Sequence, residues 1–171
     1  MEGVQLITRK KWGARRPKET TPLPVSQAHG CAIHYSASGS PLRHRDCAPA
    51  VRAIQRFHMD VRGWNDIAYS WIGCRHGYIF RGRGLGIRTA ANGTNHANSR
   101  FYAYCFLGRD NVNRRDVTPE AKNALLHLLV WLNRQIPGPM QVCPHSAFTG
   151  TSCPGAELRA LLAATGWRCK E

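Results

Sequence analysis

The segment Cys143-Pro-His145-Ser-Ala-Phe-Thr-Gly-Thr151-Ser-Cys153-Pro-Gly155 places an imidazole and a thiol eight positions apart, on a stretch broken by proline and glycine. Such a stretch cannot be one continuous helix, so a loop must carry both side chains. Imidazole nitrogen and thiolate sulfur are donors that Zn²⁺ prefers in a tetrahedral shell. A catalytic zinc needs a third protein donor and one position left for water. Eight histidines are available, at 29, 34, 44, 58, 76, 96, 127 and 145. His34 suits the part best, because it closes the apolar run Gly30–Ser36 and a strand terminus gives a metal site rigid support. His127 falls on the apolar side of a helix, and His44 and His76 lie among arginines in loop-like sequence, where solvent exposure is expected. His58 sits near the apolar face of a helix and either packs there or lines a groove. On residue types alone, the alternative for His34, His145 and Cys153 is a set of satisfied structural histidines and an ordinary buried thiol.

The elements that must hold these residues can be read from periodicity. Residues 1–28, with Trp12-Gly-Ala and Pro17, Pro22 and Pro24, read as an extended arm packed on the domain. Over 48–61 the positions Val51, Ile54, Phe57, His58 and Val61 recur at helical spacing, and Gly63 ends that helix. Runs at 67–73, 78–80 and 99–107 are strand-like. Thr118-Pro119-Glu120 opens a second helix, closed by Pro137, and a short third one spans 154–164. Strands interleaved with about three helices predict an α/β fold: one domain with a central mixed sheet.

The totals narrow the function. At 171 residues, 43% of them apolar, the chain can bury a real core. The formal charge of +14 calls for a polyanionic neighbour, such as wall polymers, an anionic membrane surface or nucleic acid. The basic residues are scattered from Arg9 to Arg168 without a basic recognition helix, which argues against specific nucleic-acid binding. Residues 1–6 lack a basic region followed by an apolar core, so synthesis in a cytosol is expected, and buried free thiols are the simple reading of the six cysteines other than Cys153.

Six blocks then appear in order: Arg9-Lys-Lys-Trp12-Gly-Ala14, Ala32-Ile-His34-Tyr35-Ser36, Ile54-Gln-Arg-Phe-His58-Met59, Gly63-Trp64-Asn-Asp-Ile-Ala-Tyr69-Ser70, Gly82-Arg83-Gly84 and His145…Thr151-Ser-Cys153-Pro-Gly155. Together they resemble the peptidoglycan recognition protein and type-2 N-acetylmuramoyl-L-alanine amidase family, over roughly residues 7–165. The resemblance implies one Zn²⁺ held by His34, His145 and Cys153, with hydrolysis of the amide joining N-acetylmuramic acid to the L-alanine of the stem peptide. It also implies that Tyr69 stabilises the oxyanion and Thr151 positions water or the intermediate. Tyr35, His58, Gly63, Trp64 and Arg83 match substrate-groove positions, the last three going with meso-diaminopimelate stems. A non-catalytic peptidoglycan-binding module on the same fold is the alternative.

The chain departs from the family pattern twice. The loop after the first core strand has only Cys47 where animal members usually carry a cysteine pair. A family Gly-Ala-His is replaced by Ala90-Ala-Asn92, which leaves a groove contact by His96 in doubt. Both departures, with the arginine-rich composition, suggest a bacterial or phage (endolysin-like) amidase. Such a protein would be made in a bacterial cytoplasm and act on the wall as a monomer.

Overall fold

The computed structural model of the chain describes residues 4–109 and 116–170. Strands β1 (Gln5–Ile7), β2 (Gly30–Tyr35), β3 (Trp71–Gly73), β4 (Tyr78–Arg81), β5 (Phe101–Phe106) and β6 (Gln141–Pro144) form one sheet in the order β1-β4-β3-β5-β2-β6. Only β3 and β4 pair antiparallel, so the sheet is mixed. Three longer helices, α2 (Cys47–Arg56), α4 (Pro119–Asn133) and α5 (Ala156–Ala164), flank it, with single-turn helices α1 (Arg9–Trp12) and α3 (Asn95–Asn98). This is the single α/β domain expected.

The central strands β2 and β5 are buried on both faces, which is why they read as continuous apolar runs. Cys31, Ile33, Tyr102, Tyr104 and Phe106 pack on one face against leucines of α4 and α5. Successive side chains alternate between faces, so Ala32, His34, Phe101 and Cys105 turn to the other side. There, Trp12, Val51, Ile67, Ile72 and Phe80 form a second core. The parallel strands β3, β5, β2 and β6 all end along one edge, where an open α/β sheet carries its ligand crevice.

Several expectations need correcting. The segment read as an extended arm contributes strand β1, hydrogen-bonded parallel to β4. It also contributes α1, whose buried Trp12 donates its indole N–H to Arg81 O at 2.8 Å. Only Trp71–Gly73 of the run 67–73 is strand. Asp66 draws the preceding residues away by accepting from Ile67 N (2.8 Å), Gln55 Nε2 (2.6 Å) and Arg9. Helix α2 runs into a π-turn at Phe57–Val61. The wider turn shifts the helical phase, so His58 and Met59 face inward while Phe57 and Val61 are exposed. His127 lies on the exposed side of α4. Two cysteines expected as free thiols, Cys143 and Cys169, form a disulfide that ties the C-terminal tail to β6. Their chain neighbours are already paired, Val142 N donating to Arg168 O, and that pairing brings the sulfurs together. Among the described residues no helix is long and apolar enough to cross a membrane.

Candidate functional site

His34 ends β2, and His145 follows the last residue of its neighbour β6, where Ile33 and Pro144 pair in register. Two parallel strands ending level therefore deliver two imidazoles side by side, their ring centroids 4.3 Å apart. Cys153 returns on the Pro/Gly loop beyond. The candidate donor atoms of His34, His145 and Cys153 all lie within 4.8 Å of one another. The loop is pinned by Ser146 N donating to Cys153 O. Arg159 Nη2 also holds it, donating to Ser152 O (3.0 Å) and Cys153 O (3.3 Å).

Hydrogen bonding decides which face of His34 is available. The amide nitrogen of buried Asn92 donates to Ala97 O (3.2 Å) and Phe101 O (2.9 Å). Its Oδ1 is left to face His34 Nε2 at 2.9 Å, and a carboxamide oxygen only accepts. Nε2 thus carries the ring proton and Nδ1 keeps its lone pair, the arrangement a metal-ligating histidine needs. Burial, and then the neighbouring His145, lower the His34 pKa to about 3 against an upward pull from Asn92. Burial also lowers His145. Both rings are neutral donors at neutral pH. Burial raises the Cys153 thiol to about 11, opposed by the Tyr35 amide (3.3 Å from Sγ) and by Arg159. Two neutral imidazoles and a sulfur already receiving an N–H bond are a donor set that fits Zn²⁺.

Beside the triad the rings form a row. Tyr69 lies 5.6 Å from His34, His58 5.7 Å from Tyr69, and Trp64 4.9 Å from His58. Burial raises the Tyr69 hydroxyl well above its ordinary range, and this hydroxyl shares a hydrogen bond with the Cys105 thiol beneath. His58 Nδ1 accepts from Ala68 N at 3.1 Å. Burial, then Arg83 and Arg62, lower its pKa to about 4. A hollow of about 450 Å³ along α2 is lined by Ala50, Phe57, His58 and Tyr69. Another of about 460 Å³ is lined by Trp64, Arg88, Asn95, His145 and Thr149. The first hollow is walled by Tyr69, the ring next to His34, and the second by His145 itself, so the groove beside the triad is built from these two hollows' walls.

The remaining expected residues take distinct places. Tyr35 reaches Ser152 Oγ across the rim at 3.3 Å. Thr151 Oγ1 accepts from Cys153 N at 3.2 Å and so braces the sulfur-bearing turn. Gly63, at φ +72°, makes the left-handed turn that leads into Trp64. Arg83 is directed into the protein: Nε donates to Ile67 O (2.7 Å) and Nη1 to Arg88 O (2.8 Å). Next to it, a Cβ on Gly82 would come within 2.2 Å of Tyr69 O, so only glycine lets the two loops meet. Asn92, Cys105 and Arg159 were missed from the sequence. The replacement of Gly-Ala-His by Ala-Ala-Asn92 was the one signal that pointed to any of them.

No family profile matches the chain. Individual proteins do. Peptidoglycan-recognition protein SC2 of Drosophila simulans is 29% identical over 157 residues, 91% of this chain and 83% of that protein. The N-acetylmuramoyl-L-alanine amidase of Mus musculus is 35% identical over 106 residues, 58% of this chain but 19% of that longer protein. Among solved structures, Drosophila PGRP-LB matches with a TM-score of 0.86 at 26% identity, covering 98% of both chains. Peptidoglycan recognition protein-LE in complex with tracheal cytotoxin, a monomeric diaminopimelic acid-type peptidoglycan, matches at 0.84 with 25% identity over 95% of both.

Its homologues are peptidoglycan-recognition proteins and N-acetylmuramoyl-L-alanine amidases, and its fold is that of the solved peptidoglycan-recognition proteins. The relatives are animal proteins, from fly, mouse and pig. They overturn the expectation of a bacterial or phage protein made in a bacterial cytoplasm.

Proposed function

We propose that this protein is a zinc-dependent peptidoglycan amidase that cleaves the bond between N-acetylmuramic acid and the L-alanine of the stem peptide. The observation that carries the reading is the convergence of the donor atoms of His34, His145 and Cys153 within 4.8 Å of one another, with His145 lining an open hollow. Held by these three, Zn²⁺ supplies Lewis acidity toward an amide carbonyl and toward water. Asn92 keeps the His34 proton on Nε2 and the lone pair turned to the metal. The Tyr35 amide and Arg159 favour the ionised form of Cys153. Tyr69 rotates its hydroxyl from Cys105 to the carbonyl oxygen that gains charge, a donor whose loss typically costs ~10²–10³ in rate. Thr151 holds the Cys153 turn and so fixes the sulfur.

The groove accommodates the glycan and stem peptide, with His58, Trp64 and Tyr35 at its walls. A diaminopimelate stem is the favoured substrate, supported by the tracheal cytotoxin held by a structural neighbour. Two Arg83 nitrogens are committed to backbone carbonyls, so what Arg83 offers the extra carboxylate is charge more than a bidentate fork. The +14 charge holds the protein near anionic wall polymers. Binding without cleavage is the second reading, favoured by the Tyr69 hydroxyl being engaged with Cys105.

Mass spectrometry of purified diaminopimelate- and lysine-type peptidoglycan, digested by native and Cys153→Ser protein with and without chelator, tests both readings. Release of free stem peptide from the diaminopimelate wall is expected, lost with the chelator and in the variant. Intact peptidoglycan that co-sediments with zinc-loaded protein would leave only the binding module standing. Equal cleavage of both walls would remove the diaminopimelate preference.

A further inference from the structure

Away from the groove, three side chains converge that the proposed function does not use. Cys47 is the first residue of α2, Cys74 follows β3, and His76 lies in the turn between β3 and β4. Both thiols are fully buried and His76 is half-buried. Their donor atoms all lie within 4.8 Å of one another. We propose that Cys47, Cys74 and His76 form a second zinc site, structural in role, which fastens the start of α2 to the β3–β4 hairpin.

The geometry supports this in three ways. A thiolate at ~2.3 Å and an imidazole nitrogen at ~2.05 Å from one tetrahedral zinc stand about 3.6 Å apart. Cys47 Sγ and His76 Nδ1 are 3.5 Å apart. His76 Nε2 lies 3.2 Å from Leu42 O, which only accepts, so Nε2 bears the proton and Nδ1 turns its lone pair to the sulfurs. Cys74 supplies the third corner, its sulfur within 4.8 Å of both other donor atoms.

The proton count points the same way. Cys47 has one S–H but three acceptors in reach: His76 Nδ1, the Cys74 sulfur and Arg43 O at 3.9 Å. A divalent cation that displaces the thiol protons satisfies the sulfurs and the imidazole together. Two sulfurs and a nitrogen select zinc over the oxygen-seeking cations. His44, its ring 5.8 Å from that of His76, is stacked on Tyr78 at 3.8 Å and stands outside the three-donor cluster.

The test uses full-length Cys153→Ser protein, in which the groove site lacks its sulfur. After zinc loading and desalting, elemental analysis should find one zinc per chain retained, and none when Cys74→Ser is added. Cobalt titration of the Cys153→Ser protein should give thiolate-to-metal charge-transfer absorption. The milder His76→Ala variant, which keeps both thiols and whose fold is checked by circular dichroism, should bind at least tenfold more weakly in chelator competition. No metal in Cys153→Ser protein, unchanged affinity in His76→Ala, or a Cys47–Cys74 disulfide in non-reduced peptide maps would each overturn the proposal. None of these readouts depends on peptidoglycan cleavage, so the groove reading stands or falls separately.

Discussion

Asn92 bears on the candidate metal site through His34, whose Nε2 faces its Oδ1 at 2.9 Å. Replacing it with leucine removes the acceptor that selects the His34 tautomer, and loss of such an outer partner typically weakens metal binding ~10–100-fold. Zinc affinity of Asn92→Leu by chelator competition checks this; an unchanged affinity would show that the tautomer is set elsewhere. His58 supplies a pH-dependent term. Its folded pKa of about 4 is below the ordinary 6.5, so between those values the unfolded chain binds a proton that the native chain does not. Stability from His58 is present above about 6.5 and is lost as pH falls toward 4. Urea unfolding across that window should show a shallower acid loss for His58→Gln than for the native chain. Parallel curves would mean that His58 titrates normally.

At the level of elements, the loop that carries Trp64 and Tyr69 hangs on one carboxylate. Asp66 is buried and binds Arg9 at 2.8 Å, Gln55 at 2.6 Å and the Ile67 amide at 2.8 Å. Its loss strands a partly buried arginine and frees the loop, so Asp66→Ala should cost roughly 3 kcal/mol in unfolding free energy. A cost under about 1 kcal/mol, the level of an exposed pair, would show that the network is not what holds the loop. The legibility of the sequence divides along the same line. His34, His145 and Cys153 could be chosen because their donor chemistry is rare and β2 announces itself as a buried run. Asn92, Cys105 and Arg159 could not, since their roles come from strand register and loop crossing, which span distant parts of the chain. Phe57 and Val61 were misplaced because a helical period was carried through a π-turn. The strand at 67–73 was overlong because local β-propensity gives way to Asp66.

For the whole molecule, the relevant quantity is charge. An excess of +14 spread over the surface should act on encounter with a polyanionic wall, not on the chemistry within the groove. In ~1 M salt, where the screening length falls to ~3 Å, attack on intact walls should slow more than cleavage of a soluble muropeptide. Equal slowing would mean that the charge plays no part in approach. The placement of the groove donors has a different outcome. His34 sits in the first quarter of the chain, and His145 and Cys153 in the last fifth; only the laying of β6 beside β2 makes them neighbours. If these three hold the proposed ion, coordination has to wait until Cys153 has been made and β6 laid beside β2, so metal uptake there would report a finished sheet.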